Sequence, residues 1–181
     1  MQIKALVAAC AMAASALASA QVSTNVYTGY GTGDGTPFSD LVGTLDTPAI
    51  TFGTDTGFNW HPFGLFAFGS QSTGALSVAA DGTYEFGLTS DDGSSLYIDG
   101  VRVIDNGGGH GPLLATGSAT LSAGTHSFTV NFFEDYGGAS GVDLSLPSGV
   151  TVAVPEPSAL ALMLVGMATV GACARRRQRR G

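Results

Sequence analysis

The chain has 181 residues, 44% of them hydrophobic, only 12% charged and 27 of them glycine. That is too apolar and too poor in charge for wholesale disorder. With both ends removed, residues 21–154 carry one Arg against thirteen Asp and Glu, which excludes ordinary nucleic-acid binding and suits a hard cation held by oxygen ligands.

In chain order, residues 1–20 open with Lys4, continue through an apolar stretch from Ala5 to Leu17, and end in Ala18-Ser19-Ala20 before Gln21. A positive start, an apolar run and a small-x-small end predict a secretory signal peptide that is cleaved and handled by signal peptidase. The two cysteines, Cys10 and Cys173, lie in the two ends, so the exported body is expected to fold without a disulfide.

Residues 21–150 read as one all-β domain. Strands are expected near Asn25–Tyr30, Ala49–Phe52 and Leu65–Phe68. Further on, Leu76, Val78 and Ala80 share one face, as do Tyr84, Phe86 and Leu88, and then Val142, Leu144 and Leu146. Thr125–Tyr136, the longest glycine-free stretch of residues 29–149, alternates with Phe128, Val130 and Phe132 on one side. Asp99-Gly100 between Ser95–Ile98 and Val101–Ile104 predicts a two-residue hairpin. Many short strands with close turns point to an antiparallel β-sandwich or a barrel.

Adjacent carboxylates at Asp91-Asp92 repel each other unless a cation neutralises them. Calcium takes six to eight oxygens, so a loop with acids and free carbonyls suits it. Asp-Asp-Gly equally suits a hairpin turn with no metal. Asp99 is expected to serve only its turn, and Asp105 stays open as a ligand. His61, His110 and His126 show no spacing that would build a zinc site. Trp60 and Tyr136 could stack on sugar rings or pack in the core. No G-x-S-x-G occurs in the body, and no pair of glycosidase carboxyls can be located, so the chain is read as non-enzymatic, with a hydrolase the weakest reading.

Residues 151–157 form a linker containing Pro155-Glu156-Pro157. Ser158–Ala174 is seventeen residues without a charge, and residues 175–181 hold five Arg. A helix over 158–174 is near the lower limit for crossing a bilayer, and the cluster that includes Arg175, Arg176 and Arg177 would stay cytoplasmic. Pro-Glu-Pro, apolar span and arginine cluster together resemble the PEP-CTERM sorting signal of Gram-negative bacteria. The resemblance implies recognition by a membrane-embedded exosortase and transient anchoring in the inner membrane. It places the product on the cell envelope or outside it.

The stretch Gly82–Asp105 resembles the PA14 domain at Gly82, Tyr84, Phe86, Ser90, Asp91, Asp92, Gly93, Leu96, Ile98, Asp99, Gly100, Val103 and Asp105. Gly124–Ala139 resembles that family's late strand and glycine-rich loop. The likeness runs from about 63 to 146, and the Gly107-Gly108-Gly109 run departs from it where an aromatic is common. It implies a PA14-like β-sandwich used for carbohydrate recognition or adhesion. It also implies a cis peptide between Asp91 and Asp92, with both side chains on calcium. A second loop, Glu134-Asp135-Tyr136-Gly137-Gly138, would complete the site with acids where Asn is usual.

The expected metal ligands are therefore Asp91, Asp92, Glu134 and Asp135, and the expected ligand-binding residues are Tyr136, Gly137, Gly138 and Trp60. The function expected is calcium-dependent binding of an extracellular glycan or polysaccharide. The alternative is a structural envelope or biofilm-matrix protein with no small ligand.

Overall fold

Alternation of apolar and polar residues drives eleven strands, among the described residues, into two antiparallel sheets. The computed structural model describes residues 21–154. The expected signal peptide, the Pro-Glu-Pro element, the apolar span and the arginine cluster lie outside the described residues. Among the described residues no helix is long and apolar enough to cross a membrane.

The strands are β1 (Val22–Gly31), β2 (Gly35–Thr47), β3 (Thr51–Phe52), β4 (Phe68–Val78), β5 (Gly82–Asp91), β6 (Ser94–Ile98), β7 (Val101–Asn106), β8 (Leu113–Leu121), β9 (Gly124–Glu134), β10 (Gly141–Ser145) and β11 (Val150–Val152). The larger sheet runs β2-β1-β4-β9-β6-β7, with β11 alongside β4, and the smaller runs β3-β10-β5-β8. Val150 pairs with Val78, so the last strand extends past the boundary expected at residue 150.

The core fills the space between the sheets, as the period of two requires. Phe128, Val130 and Phe132 of β9 and Leu96 and Ile98 of β6 face Phe86 and Leu88 of β5 and Val142 of β10, all buried. Trp60 joins this core: it stacks on Phe52 with ring centroids 4.3 Å apart and meets Phe68 edge-on at 5.1 Å. Burial of such aromatic area is the main source of stability in a body that has no cysteine.

At Asp99-Gly100 both φ angles are positive, 50° and 78°, and Ile98 pairs with Val101, so the turn is the two-residue hairpin that the dipeptide predicts. Asp99 adds a second grip. Its Oδ1 accepts the Ser127 N–H at 2.9 Å, and its Oδ2 lies 2.6 Å from His126 Nδ1, tying the turn to β9.

Three connections cross between the sheets at the opposite end from that turn. β5 lies in the small sheet and β6 in the large one, so Asp92-Gly93 is the whole crossing. The β7–β8 segment (107–112) and the β9–β10 segment (135–140) make the same passage. Register brings them to one rim: Asp91 pairs with Gly141, Ser90 with Leu113, and Ser94 with both Asn106 and Phe132. Acids scattered over some forty residues of sequence are thereby gathered at one edge of the sandwich.

Candidate metal and ligand site

The rim is stitched by buried polar side chains before any charge is considered. Ser90 Oγ and Ser94 Oγ lie 2.7 Å apart across the Asp91–Gly93 crossing. Asn106 Nδ2 donates to Ser90 Oγ at 3.0 Å and to the Leu113 carbonyl at 3.2 Å, joining this crossing to both ends of the β7–β8 segment. Gly93 permits the closest approach. A Cβ there would come 2.5 Å from the Phe133 ring and 2.6 Å from the Gly108 carbonyl oxygen, so only glycine fits without a shift.

The Asp91–Asp92 peptide bond is cis. Asp91, Asp92 and Glu134 are all buried, and each offers a carboxylate oxygen within 4.8 Å of the others. They line a cavity of about 360 Å³ together with Gly109, His110, Gly111, Tyr136, Gly138 and Ala139. That size falls in the range of small-molecule sites.

Each acid is held differently. Asp92 is fixed by backbone: His110 N–H donates to its Oδ1 at 2.9 Å and Asp135 N–H to its Oδ2 at 3.2 Å. Glu134 Oε1 accepts the N–H groups of Tyr136 at 3.1 Å and Gly137 at 2.9 Å, which folds the glycine-rich loop around the carboxylate. Glu134 Oε2 is buried with no hydrogen-bond partner. Burial, followed by the charge of Asp92, pushes the Glu134 carboxyl up to about 7, against the pull of the loop N–H groups. Burial and then the Asp92 charge also raise Asp91, with His110 acting in the opposite direction.

These residues fit a hard cation. A buried carboxylate oxygen without a partner is costly, and two more carboxylates beside it make the cost electrostatic as well. One divalent ion would relieve both. The donors are all oxygens, which selects calcium-like chemistry over zinc-like chemistry. Both ring nitrogens of His110 already face carbonyl oxygens, of Gly111 at 2.8 Å and Asn106 at 3.0 Å, so the ring is engaged with backbone and is no part of the three-acid cluster.

Of the four acids expected to gather, the structure brings together Asp91, Asp92 and Glu134. Asp135 does not join them. Its Oδ1 instead accepts the Tyr30 hydroxyl at 2.9 Å, and that phenol is pushed up to about 12 by burial, by this hydrogen bond and by the nearby acids. Glu134 ends β9 buried, whereas Asp135 begins the exposed loop and is held by Tyr30 of β1. Tyr136 and Gly138 line the cavity and Gly137 shapes the loop. Trp60 sits in the aromatic core and is absent from the cavity lining. Asp105 pairs with Arg102 at 2.9 Å on the surface.

His110, which the spacing of the histidines marks only as no part of a zinc site, lines the cavity and fixes Asp92 through its N–H, and β1–β2 supports that segment. The glycine run at 107–109 was the available signal. A Cβ on Gly107 would meet the Gly33 carbonyl at 2.7 Å, and one on Gly109 would meet the Tyr136 ring at 2.9 Å, so the run lets three loops converge. Gly108 N–H donates to Gly33 O at 2.7 Å, which docks the His110 segment on the β1–β2 turn.

Comparison with known proteins agrees with this architecture. An anti-sigma factor domain-containing protein superposes with a TM-score of 0.60 at 21% identity, over 76% of this chain and 46% of that one. A β-glucosidase from Kluyveromyces marxianus gives 0.53 at 18% identity, over 75% of this chain and 16% of that one. The chain thus spans less than half the length of either protein. A PA14 sugar-binding domain from an RTX adhesin gives 0.53 at 18% identity, over 71% of this chain and 90% of that one. Identities this low show a shared fold. No curated protein matches the chain in sequence. The PEP-CTERM protein-sorting motif matches residues 153–177, over the Pro-Glu-Pro element, the apolar span and the first arginines. The PA14 domain matches residues 19–156, most of the chain, and the protein belongs to that family.

Proposed function

We propose that this protein is an exported PA14 module of the cell envelope or extracellular matrix that binds glycan through a calcium ion held by Asp91, Asp92 and Glu134. The observation that carries this reading is the buried, unpartnered Oε2 of Glu134 beside two further carboxylates in an open cavity. Each of the three acids offers one oxygen to a common point and calcium takes six to eight, so coordination positions remain for carbonyls, water and the vicinal hydroxyls of a sugar. The sugar-binding domain of the RTX adhesin shares the fold, which supports the ligand class. The PEP-CTERM motif implies export to the cell envelope, which supports a ligand met outside the cytoplasm. On this reading the exosortase and signal peptidase act on the chain during export, and the membrane holds it before processing.

The site is read as binding rather than hydrolysing. A glycosidase sets two carboxyls on opposite sides of the scissile bond, whereas these three converge on a single anionic point. The test is a glycan array probed with the purified protein in calcium and again in chelator. Retention of glycan in calcium and its loss in chelator is the expected result. Absence of retention in both favours the structural matrix protein without a small ligand.

A further inference from the structure

An exposed aromatic residue adjoins the glycine-rich loop that borders the acidic cavity. The segment between β3 and β4 carries Phe63 and Phe66, 53% and 59% exposed. Phe63 has φ 55° and Gly64 φ 78°, a left-handed pair that a bulky residue enters only at steric cost. This turn is anchored, because the Phe63 ring covers Gly43 of β2, where a Cβ would come 2.6 Å from the ring. Beyond the turn, the Phe66 ring lies 4.5 Å from the His61 ring, tilted by 37°. Phe66 Cβ and its carbonyl oxygen each lie 3.6 Å from where a Cβ on Gly137 would stand. Gly137 sits between Tyr136 and Gly138, both of which line the cavity. Tyr136, 79% exposed, reaches over to Gly109 of the β7–β8 segment. Two solvent-facing aromatics therefore flank one glycine-rich rim.

We propose that Phe66 is a stacking platform extending the cavity, so that the site takes an oligosaccharide, with one sugar at the carboxylates and the next laid on the Phe66 ring. A pyranose has an apolar C–H face that an aromatic ring covers well, and an exposed ring gains by being covered. The role once open to Trp60 cannot be filled by that residue, whose ring is packed against Phe52 and Phe68. The proposal rests on the glycan-binding reading and adds that ligand length is recognised.

The experiment uses the full chain in millimolar calcium on an array of immobilised glucose, galactose, mannose and fucose and their di- to tetrasaccharides, with Phe66→Ala and Phe66→Tyr alongside. The wild type is expected to retain at least one oligosaccharide about five- to tenfold more tightly than its monosaccharide. Phe66→Ala removes that preference while its calcium affinity and melting temperature stay at wild-type values, and Phe66→Tyr keeps it. Equal retention of mono- and oligosaccharides by the wild type, or an unaltered preference in Phe66→Ala, overturns the platform and leaves glycan binding standing. Failure of the wild type to retain any sugar overturns both.

Discussion

Glu134 closes β9 with one carboxylate oxygen engaged by loop N–H groups and the other engaged by nothing. Its titration follows from that asymmetry. The folded-state value of about 7 lies above the ordinary 4.5, so without metal the folded state prefers the protonated acid. The contribution of Glu134 to stability is then full below pH 4.5, is lost as pH rises toward 7, and levels off above it. Calcium reverses the direction, because it demands the carboxylate and must displace the proton. Metal affinity should therefore rise with pH through the same interval, and binding near pH 7 should release protons. Calorimetry in buffers of different ionisation enthalpy reads that release. Glu134→Gln should flatten the pH dependence of melting in chelator and weaken calcium. An unchanged pH profile in Glu134→Gln would place the titration elsewhere.

At the scale of strands and loops, the site is a property of sheet crossings, and two substitutions test that. Gly93→Ala inserts a methyl between the Phe133 ring and the Gly108 backbone, and overpacking of this kind costs about 1–3 kcal/mol. Chemical denaturation measures it, and a loss well under that range would mean that the loops are free to move apart. Tyr30→Phe keeps the ring against Phe133, 6.1 Å between centroids, and removes the hydrogen bond to Asp135. Asp135 N–H is one of the two donors that orient Asp92, so this variant should bind calcium several-fold more weakly with little change in metal-free melting. Equal calcium affinity in the two proteins would remove the hairpin from the site.

The same elements show what the sequence made legible. β9 was readable because Phe128, Val130 and Phe132 alternate without a glycine break, and the β6–β7 hairpin because Asp99-Gly100 leaves one turn geometry. β2, thirteen residues long, was missed: it is an edge strand, mostly exposed, so no buried period marks it. The middle of β8, residues 115–119, carries small residues: at Gly117 a Cβ would strike the Val103 carbonyl, and this close approach of β7 leaves no room there for the large side chains that announce a strand. The reading near Leu65–Phe68 was short of the strand, since β4 starts at Phe68 and runs through glycines to Val78. In the site, residue type and the family likeness pointed to Asp91, Asp92 and Glu134. The outward turn of Asp135 and the inward docking of the His110 loop depend on tertiary register, which no local pattern carries.

For the whole molecule, an acidic body without disulfides draws stability from its aromatic core and, on our reading, from a bound ion. Extracellular calcium modules hold the ion with dissociation constants of about 0.1–1 mM. Calcium at about tenfold excess over its dissociation constant contributes roughly 1.4 kcal/mol, which raises the melting temperature by about 5 °C for a domain of this size. Chelator should reverse the rise, and magnesium, which demands a tighter octahedral shell, should reproduce little of it. A melting temperature indifferent to calcium would contradict the fit of the three acids to a divalent ion.

The most direct measurement is a calorimetric titration of calcium into the wild-type protein and into the double variant Asp91→Asn, Asp92→Asn. The expected result is saturable heat at one site per chain in the wild type and none in the variant, with both proteins folded by circular dichroism. Heat of the same size in the variant, or none in the wild type, would show that the rim carboxylates do not hold the ion.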